Sequence, residues 1–358
     1  MTFDVMHFEV LGKERDYLIE ETNSLISKGV LPNDFKSLFT PLTLQDYLKD
    51  NDEILPNIIT IKTHSIIPEE YISSEPRKSI ITRSAGYDHL ENIQEYVNIA
   101  SLREYCVDAV AQTAIKFVFT TLGNLNEYTY NAQTFERNKT DSFIEINNNR
   151  VATVFGVGKI GSRIYEILEK IGFTVQAVDI RQEELKNDNK YKNFKFVDKE
   201  MAIKNSDVII NAMNFTKNKN SKFYNENYFN EDYLRKANNK IVFINVTRGE
   251  IAPESILLKL YKEGLIIGLG LDVFSRESVL TECLTEDRKL DTENLKAAYE
   301  IIDKAQNRTS NFYVQPHQGF NSDLAASAKA HEAIEHLKYW YQNGQNTFKE
   351  QLPYYSEK

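Results

Sequence analysis

Apolar residues recur in two alternating patterns between about Arg150 and His317. Short continuous runs rich in Val, Ile and Phe predict strands that are buried on both faces, as in a parallel sheet. These runs lie at residues 151–155, 174–179, 194–197, 207–212, 240–246, 265–273 and 311–315. Because stretches with helical spacing separate the runs, the pattern predicts a doubly wound α/β sheet.

The clearest helical stretch follows the first of these strands. Its apolar residues recur at i, i+4, i+7, i+8 and i+11, which places them on one helical face: Ile160, Ile164, Ile167, Leu168 and Ile171. Gly172 then stands where a C-terminal cap belongs. A further helix is predicted from about Pro253, a residue suited to a first helical turn, to Gly264.

A separate and weaker α/β pattern occupies the chain before about residue 120. Strands are predicted there at residues 4–10, 57–62 and 78–83. A long helix is predicted at residues 108–125, and the polar residues 136–149 predict a loop. Residues 324–341 return to helical spacing, and we expect this helix to lie against the first part of the chain.

These patterns divide the chain into two domains. The first covers residues 1–120, the second covers residues 121–317, and residues 318–358 return to the first. Residues 278–310 form a long charged insert, with a helix predicted around residues 293–306. We expect this insert to be a solvated decoration of the second domain rather than a lid or an oligomer contact.

The composition excludes several classes of protein. The formal net charge of −9 argues against a nucleic-acid partner, because such proteins usually present a basic face. The apolar runs are too short to span a membrane, and the first ten residues do not resemble a signal peptide. Cys106 and Cys283 are too few for a disulfide framework or a zinc site, and the histidines show no ligand spacing with them. We therefore expect no metal and a cytoplasmic location.

A glycine-rich segment follows the first strand of the second domain and opens its first helix: Gly156-Val157-Gly158-Lys159-Ile160-Gly161. Its glycines permit a tight turn, a close approach of backbone amides to a pyrophosphate, and close contact between helix and strand. Asp179 ends the next predicted strand, 18 positions after Gly161, which suits an acid that binds the ribose of NAD. Arg181 lies close enough to leave NADP as an alternative.

Three ionisable residues follow the carboxyl ends of predicted strands, where ligands bind in open α/β sheets. They are Arg248, Glu277 and His317. The planar guanidinium of Arg248 suits a substrate carboxylate and carbonyl. His317 would exchange a proton with the carbonyl oxygen, and Glu277 would orient His317 and favour its charged form. We predict that these residues catalyse hydride exchange between a nicotinamide and a 2-keto acid.

The chain resembles the D-isomer-specific 2-hydroxyacid dehydrogenases, and most closely their lactate-type branch, over nearly its whole length apart from residues 278–310. The glycine-rich segment resembles the cofactor fingerprint of that family. Three more segments carry the resemblance: Ile244-Asn245-Val246-Thr247-Arg248-Gly249, Gly270-Leu271-Asp272-Val273-Phe274 and Gln315-Pro316-His317. The spacing of 29 residues from Arg248 to Glu277 agrees with the lactate-type members.

The resemblance implies a fold, a cofactor and an assembly. The fold would be a Rossmann-type sheet inserted into a smaller, flavodoxin-like α/β substrate domain. The cofactor would be NAD, with Thr247 and Asp272 among its contacts and Asp272 near the nicotinamide carboxamide. The substrate would be a small 2-keto or 2-hydroxy acid. Most members of the family are dimers, so we expect a homodimer.

The resemblance also implies substrate contacts. A segment after the third predicted strand of the first domain resembles the substrate loop of the family: Arg83-Ser84-Ala85-Gly86-Tyr87-Asp88. The backbone amides of Ala85 and Gly86 would hold the substrate carboxylate. Tyr105 and Phe320 match substrate-side positions of the lactate-type branch.

Some residues depart from the family pattern and leave the substrate open. These are Ile67, Gln112, Ala212, Asn214 and Gly319. D-lactate or a branched analogue is the substrate that the sequence favours. A glyoxylate or hydroxypyruvate reductase, a 3-phosphoglycerate-type enzyme and a non-catalytic sensor of NAD(H) are the alternatives. Formate oxidation fits less well, because that branch pairs its histidine with Gln and this chain has Glu277.

Overall fold

The computed structural model describes residues 2–138, 141–286 and 288–355, and the chain divides into two compact units. The first unit comprises Met1–Cys106 and Asn321–Lys358, and the second comprises Val107–Phe320. Each unit contains its own parallel sheet with helices on both faces.

The boundary between the units differs from the one that we expected at residue 120. It lies before the helix α4 (Val107–Leu122), which belongs entirely to the second unit. A Cβ atom added at Gly270 would lie only 2.5 Å from the Cβ of Phe117 on α4. The absence of a side chain at Gly270 therefore lets α4 lie directly on the second sheet, a contact that the apolar pattern of the helix alone did not reveal.

Five parallel strands form the sheet of the first unit: β1 (Val5–His7), β2 (Ser37–Phe39), β3 (Ile58–Ile61), β4 (Ser79–Thr82) and β5 (Asn98–Ser101). They lie in the order β2-β1-β3-β4-β5, which is the flavodoxin-like order. The predicted strands are confirmed as β1, β3 and β4. The sequence missed β2, which is short and half-buried, and β5, which has polar residues at both ends.

Helices cover both faces of this sheet: α1 (Lys13–Ser27), α2 (Leu44–Asp50), α3 (Glu69–Ile72) and α13 (Ala325–Gln342). Successive strand residues point to opposite faces. Ile58 and Ile81 therefore pack with α1 and α13, whereas Ile59 and Ile80 pack in the opposite core with α2 and α3. The C-terminal helix returns to the first unit, as the sequence predicted.

Six parallel strands form the sheet of the second unit: β6 (Val151–Phe155), β7 (Thr174–Val178), β8 (Val208–Asn211), β9 (Ile241–Asn245), β10 (Ile266–Leu271) and β11 (Phe312–Val314). They lie in the order β11-β10-β9-β8-β6-β7. The predicted strand at residues 194–197 is reduced to a single bridge between Ala177 and Phe196 beside β7. With that bridge as the third position, the order of the sheet is that of a Rossmann fold.

The remaining helices all belong to the second unit: α5 (Leu125–Asn131), α6 (Lys159–Lys170), α7 (Gln182–Leu185), α8 (Lys199–Asn205), α9 (Glu231–Leu234), α10 (Glu254–Lys262), α11 (Glu277–Thr285) and α12 (Glu293–Gln306). The predicted helix at residues 108–125 ends at Leu122. Asn124, with a φ of +44°, separates it from α5. No helix in the described parts of the chain is both long and apolar enough to cross a membrane.

The charged insert at residues 278–310 is not a solvated decoration, contrary to our expectation. It contains most of α11 and all of α12, and α12 lies at the residues that the sequence predicted. Leu295, Ala298 and Ile301 on α12 are buried in the main core of the second unit. The charges misled the interpretation, because they occupy only the outer face of an amphipathic helix. Asp287 lies outside the described residues.

Candidate active site

The glycine-rich segment forms a turn that only glycine can occupy. Gly156 has a φ of +81°, and a Cβ atom there would lie 2.6 Å from the Cα of Met213. A Cβ atom at Gly161 would lie 1.8 Å from the carbonyl oxygen of Gly156. Gly158 is the N-cap of α6 and provides no side-chain cap, so the first amides of that helix face the turn. Such a turn fits a pyrophosphate.

Asp179 lies beside this turn, directly after β7. One carboxylate oxygen accepts a hydrogen bond from the backbone N of Val157 at 3.0 Å, and the other accepts from the backbone N of Arg181 at 2.9 Å. The Arg181 guanidinium also forms an ion pair with Asp179 at 3.3 Å. The carboxylate is thus fixed next to the glycine turn and offsets the positive charge of Arg181. Gly156, Gly158, Gly161 and Asp179 together fit the pyrophosphate and ribose of NAD, with Lys159 and Ile160 in the first turn of α6.

Arg248 is held by an asparagine network at the carboxyl end of β9. Asn211 Nδ2 donates to the side-chain oxygens of Asn245 and Thr247, at 3.0 Å and 2.9 Å. Asn245 Nδ2 in turn donates to the carbonyl oxygen of Arg248 at 2.9 Å. The Arg248 guanidinium donates to the carbonyl of Thr247 at 2.9 Å. The network fixes the backbone from which the guanidinium extends.

Asp272 holds the loop that carries His317. Its carboxylate is 2% exposed and accepts from the backbone N of Gln318 and of Gly319, both at 2.9 Å, and from Gln315 Nε2 at 3.0 Å. Its carbonyl accepts from the backbone N of His317 at 2.7 Å. His317 has a φ of +53°, so these bonds fix a residue in the left-handed region.

Gly319 completes this loop. A Cβ atom there would lie 2.6 Å from Asp272 Oδ2, which is the acceptor of the Gly319 amide. The departure from the alanine that is common in the family therefore has a physical reason in this chain: the carboxylate leaves no room for a side chain.

His317 and Glu277 form a hydrogen-bonded pair. His317 Nδ1 lies 2.8 Å from Glu277 Oε2, and both side chains are partly exposed, at 37% and 39%. Glu277 Oε1 accepts from the backbone N of Phe274 at 3.2 Å. Nε2 of His317 has no partner among the residues that the structure describes. This arrangement leaves one imidazole nitrogen for a substrate while the carboxylate holds the other.

The Arg248 turn and the His317 loop lie at the same edge of the sheet. The strands that precede them, β9 and β11, both pair with β10, and Leu271 of β10 aligns with Asn245 on one side and with Val314 on the other. Arg248 and His317 each lie three residues beyond these aligned positions. Arg248 and His317 therefore follow the ends of the two strands that flank β10.

The predicted substrate loop lies in the first unit, directly after β4. Ser84 Oγ donates to the carbonyl of Gly86 at 2.7 Å and lies 2.8 Å from Thr82 Oγ1, so a side chain shapes the turn. The amides of Ala85 and Gly86 have no hydrogen-bond partner within residues 2–138, 141–286 and 288–355. They are available to an anion.

Two further predicted substrate residues are half-buried, and each lies near a unit boundary. The backbone N of Tyr105 donates to Glu332 at 2.8 Å, and its ring lies 5.0 Å from Lys329 Nζ. Burial raises the pKa of the Tyr105 hydroxyl well above its usual value. Phe320 is the last residue of the second unit. Ile67 is partly buried and packs against the core of the first unit that contains Leu44 and Tyr71.

Sequence reasoning missed the residues that support the site. Asn211 and Asn245 stand at strand ends, where short polar side chains are common and carry no specific signal. Glu254 follows Pro253 and looks like an ordinary acid in a first helical turn. Its 1% exposure and its contact with Ser275 are visible only in the structure.

The comparisons with known proteins agree with this geometry. A profile of the D-isomer specific 2-hydroxyacid dehydrogenase, NAD binding domain, matches residues 115–319. A glyoxylate reductase of Thermofilum pendens is 25% identical over 249 residues, which are 65% of this chain and 70% of the relative. An erythronate-4-phosphate dehydrogenase of Bacteroides thetaiotaomicron is 23% identical over 267 residues, 73% of this chain and 67% of the relative.

Solved structures resemble the whole chain. A D-lactate dehydrogenase from Aquifex aeolicus, in complex with NAD and lactic acid, superposes with a TM-score of 0.74 at 22% identity. The superposition covers 96% of this chain and 98% of the other. At this identity the likeness establishes the fold, and the two-unit architecture predicted from the sequence is confirmed.

Proposed function

The chain belongs to the D-isomer specific 2-hydroxyacid dehydrogenases, which are NAD-dependent oxidoreductases, and from this premise we propose that it interconverts a small, unphosphorylated D-2-hydroxy acid and its 2-keto acid. The predicted family and the predicted NAD cofactor are confirmed. D-lactate and pyruvate, or a branched analogue, are the substrates that we favour. The main support for the proposal is the hydrogen bond of 2.8 Å between His317 Nδ1 and Glu277 Oε2. This pair lies at the same edge of the sheet as the end of β9, which precedes Arg248.

His317 is the proposed general acid. During reduction it gives a proton to the carbonyl oxygen of the substrate from Nε2, and during oxidation it removes that proton. Glu277 accepts from Nδ1–H and stabilises the imidazolium. General acid–base catalysis of this kind accelerates a reaction by roughly 10²–10⁴. NADH supplies the hydride.

Arg248 is proposed to bind the substrate carboxylate, because its guanidinium matches the two oxygens of such a group. Ala85 and Gly86 are also proposed substrate residues, because their amides lack partners among the described residues and suit an anion. Tyr105 and Phe320 are proposed to contact the rest of the substrate, and Thr247 and Asp272 the cofactor.

The charges near the Ala85 loop favour an unphosphorylated substrate. Arg83, the first residue after β4, is fully buried and pairs with Glu14 at 2.8 Å. Lys62, the first residue after β3, pairs with the same carboxylate at 2.6 Å. Because Glu14 engages both of these cations, neither is a ready ligand for a second anionic group. This argues against an erythronate-phosphate-like substrate.

A substrate panel tests the proposal. Oxidation of NADH is followed by the loss of its near-ultraviolet absorbance, with pyruvate, 2-ketobutyrate, 2-ketoisocaproate, phenylpyruvate and glyoxylate as substrates. The reverse reaction is followed with both enantiomers of each hydroxy acid. We expect turnover of at least one keto acid and of the D enantiomer only. Measurable NADH binding without turnover of any substrate would favour the sensor of NAD(H).

A homodimer is a further part of the proposal. Large apolar side chains of the second unit are exposed: Phe119, Tyr130, Phe135 and Phe143, at 51%, 64%, 82% and 56%. Exposed apolar side chains of this size suit burial against a second copy. Light scattering should give twice the mass of 41.5 kDa, and Phe135→Asp combined with Phe143→Asp should give the monomer. The cytoplasmic location stays a prediction.

A further inference from the structure

A buried carboxylate close to the site has no part in the proposed reaction. Glu254, the first residue of α10, is 1% exposed and accepts hydrogen bonds from the backbone N and the hydroxyl of Ser275. The backbone N of Ser275 donates at 2.6 Å, and its hydroxyl lies 3.0 Å and 2.8 Å from the two oxygens. Glu254 forms no ion pair within the described residues. A buried carboxylate without a cation is costly, and such groups concentrate at functional sites.

The hydrogen bond from the Ser275 amide to Glu254 is one of three such bonds between consecutive backbone amides and glutamate carboxylates. The amides of residues 274–276 each donate to a different glutamate. Phe274 donates to Glu277 at 3.2 Å, Ser275 to Glu254 at 2.6 Å, and Arg276 to Glu250 at 3.1 Å. Glu277 itself follows directly. The backbone that leads into the partner of His317 is therefore held by carboxylates at every residue.

The same segment lies directly against the arginine turn. A Cβ atom at Gly249 would lie 2.0 Å from the backbone N of Ser275 and 2.1 Å from the carbonyl carbon of Phe274. Glu254 stands six residues after Arg248, and Ser275 stands two residues before Glu277. The Glu254 carboxylate thus ties together the two turns that carry Arg248 and Glu277.

We propose that Glu254 is a positioning residue, whose buried carboxylate holds Ser275 against the arginine turn and thereby keeps Glu277 in reach of His317. The inference rests on the proposed function, because it assigns a role within the same site. Arg276, between Ser275 and Glu277, has a φ of +51°, a left-handed conformation that persists only where the surroundings fix it. Release of the Ser275 amide would let this turn relax and would move the Glu277 carboxylate away from Nδ1.

The first test compares Glu254→Ala with Glu263→Ala, because a glutamine at position 254 would keep an oxygen that accepts from the Ser275 amide. Glu263 lies at the opposite end of α10 in an exposed ion pair with Arg235, so its variant removes the same side chain from the same helix far from the site. We expect Glu254→Ala to lower kcat for keto-acid reduction about tenfold and to leave NADH affinity unchanged, since small displacements of catalytic groups are costly. Glu263→Ala should match the wild type. An equal kcat for Glu254→Ala and the wild type would overturn the proposal.

A double-mutant cycle separates positioning from a general loss of structure. If Glu254 acts through Glu277, the tenfold effect should shrink to less than about twofold when Glu254→Ala is made in a Glu277→Gln background. Ser275→Ala, which removes the hydroxyl bonds and keeps the amide, should give a smaller effect with the same dependence on Glu277. If the substitutions at Glu254 and Glu277 each lowered kcat by the same factor alone and in combination, the proposal would be contradicted.

Amide hydrogen exchange tests the contact without any turnover. Exchange at residues 274–276 should be at least tenfold faster in Glu254→Ala than in the wild type or in Glu263→Ala. Unchanged exchange there would refute the proposed role of Glu254 in holding Ser275, even if the enzyme were active. A wild type that turns over no keto acid would refute the proposed function, whereas faster exchange in Glu254→Ala would still support the role of Glu254 in holding Ser275.

Discussion

Among the described residues, two histidine–glutamate pairs have similar geometry, one in each unit, whereas His336 and Glu332 lie farther apart, at 4.0 Å. In the second unit, His317 Nδ1 lies 2.8 Å from Glu277, with side-chain exposures of 37% and 39%. In the first unit, His331 Nδ1 lies 3.2 Å from Glu21, with exposures of 61% and 36%. The two contacts alone do not distinguish a candidate catalytic histidine from a surface histidine.

The backbone on which each pair stands, and the groups that fix that backbone, do distinguish the two pairs. His331 and Glu21 stand on regular helices, α13 and α1, and need no special backbone. His317 has a left-handed backbone, a conformation that costs about 1–3 kcal/mol and persists only where the surroundings fix it. The buried carboxylate of Asp272 does so. The comparison teaches that a site is better recognised by the buried acceptors that fix its backbone than by the reactive pair itself.

The largest difference between the pairs should appear when each histidine is removed. His317→Ala should lower kcat for keto-acid reduction by roughly 10²–10⁴, because the general acid is lost. His331→Ala is the matched control and should leave kcat unchanged. Steady-state kinetics at saturating NADH make the comparison. Equal losses in the two variants would remove the distinction between the pairs.

A change at Asp272, which fixes the loop of His317, should have the next largest effect on kcat. Asp272→Asn replaces one acceptor oxygen by an NH₂ group, which faces the amides of Gln318 or Gly319. We expect a loss of about 1–3 kcal/mol in the free energy of unfolding and about a tenfold lower kcat. Asp303→Asn, at an exposed position on α12, is the control. Denaturant titration measures the free energy of unfolding, and steady-state kinetics measure kcat. If Asp272→Asn changed neither quantity, the account would be contradicted.

The buried carboxylate of Glu254 should make stability depend on pH. Burial raises its pKa to about 7 from 4.5. Between these values the folded chain keeps a proton that the unfolded chain releases, so the free energy of unfolding falls as the pH rises and the loss is complete above about pH 7. Glu254→Gln, which has no such proton, should therefore gain up to about 3 kcal/mol relative to the wild type at pH 8 and little at pH 4.5.

Thermal melts between about pH 4.5 and pH 8 measure the difference in stability between the wild type and Glu254→Gln. Glu263→Gln, at the exposed end of the same helix, provides the reference for removing a charge. A gap between wild type and Glu254→Gln that does not change with pH would show that the carboxylate is not held as the structure describes.

The smallest effect should come from the partner of His331. Glu21→Gln removes a surface ion pair, and such pairs contribute about 0–1 kcal/mol. We expect no change in kcat and a change of less than about 1 kcal/mol in the free energy of unfolding. Glu277→Gln should change kcat clearly. If Glu21→Gln lowered kcat more than Glu277→Gln, the assignment of His317 rather than His331 as the catalytic histidine would be contradicted.

The sequence revealed those parts of the molecule that rest on local pattern. Continuous apolar runs placed β6, β8, β9, β10 and β11, and the glycine spacing placed the turn before α6. The ends of these strands then placed Arg248, Glu277 and His317 at one edge of the sheet. Strand ends are predictable because parallel strands share one direction.

The sequence did not reveal the features that depend on contacts between distant segments. The segment 194–197 has strand-like residues but lies at the edge of the sheet, where it forms a single bridge. The charges of residues 278–310 hid the buried face of α12. The contact between Glu254 and Ser275 joins residues 21 positions apart, and no local signal marks either one.

The most direct test of the central claim is the pH dependence of the reaction in both directions. If His317 exchanges the proton, kcat/KM for the keto acid should fall as the pH rises, because that direction needs the protonated ring. For the hydroxy acid it should fall as the pH drops, because that direction needs the neutral ring. Both limbs should be absent from the residual activity of His317→Ala and present in His331→Ala. Limbs that persist in His317→Ala would contradict the account.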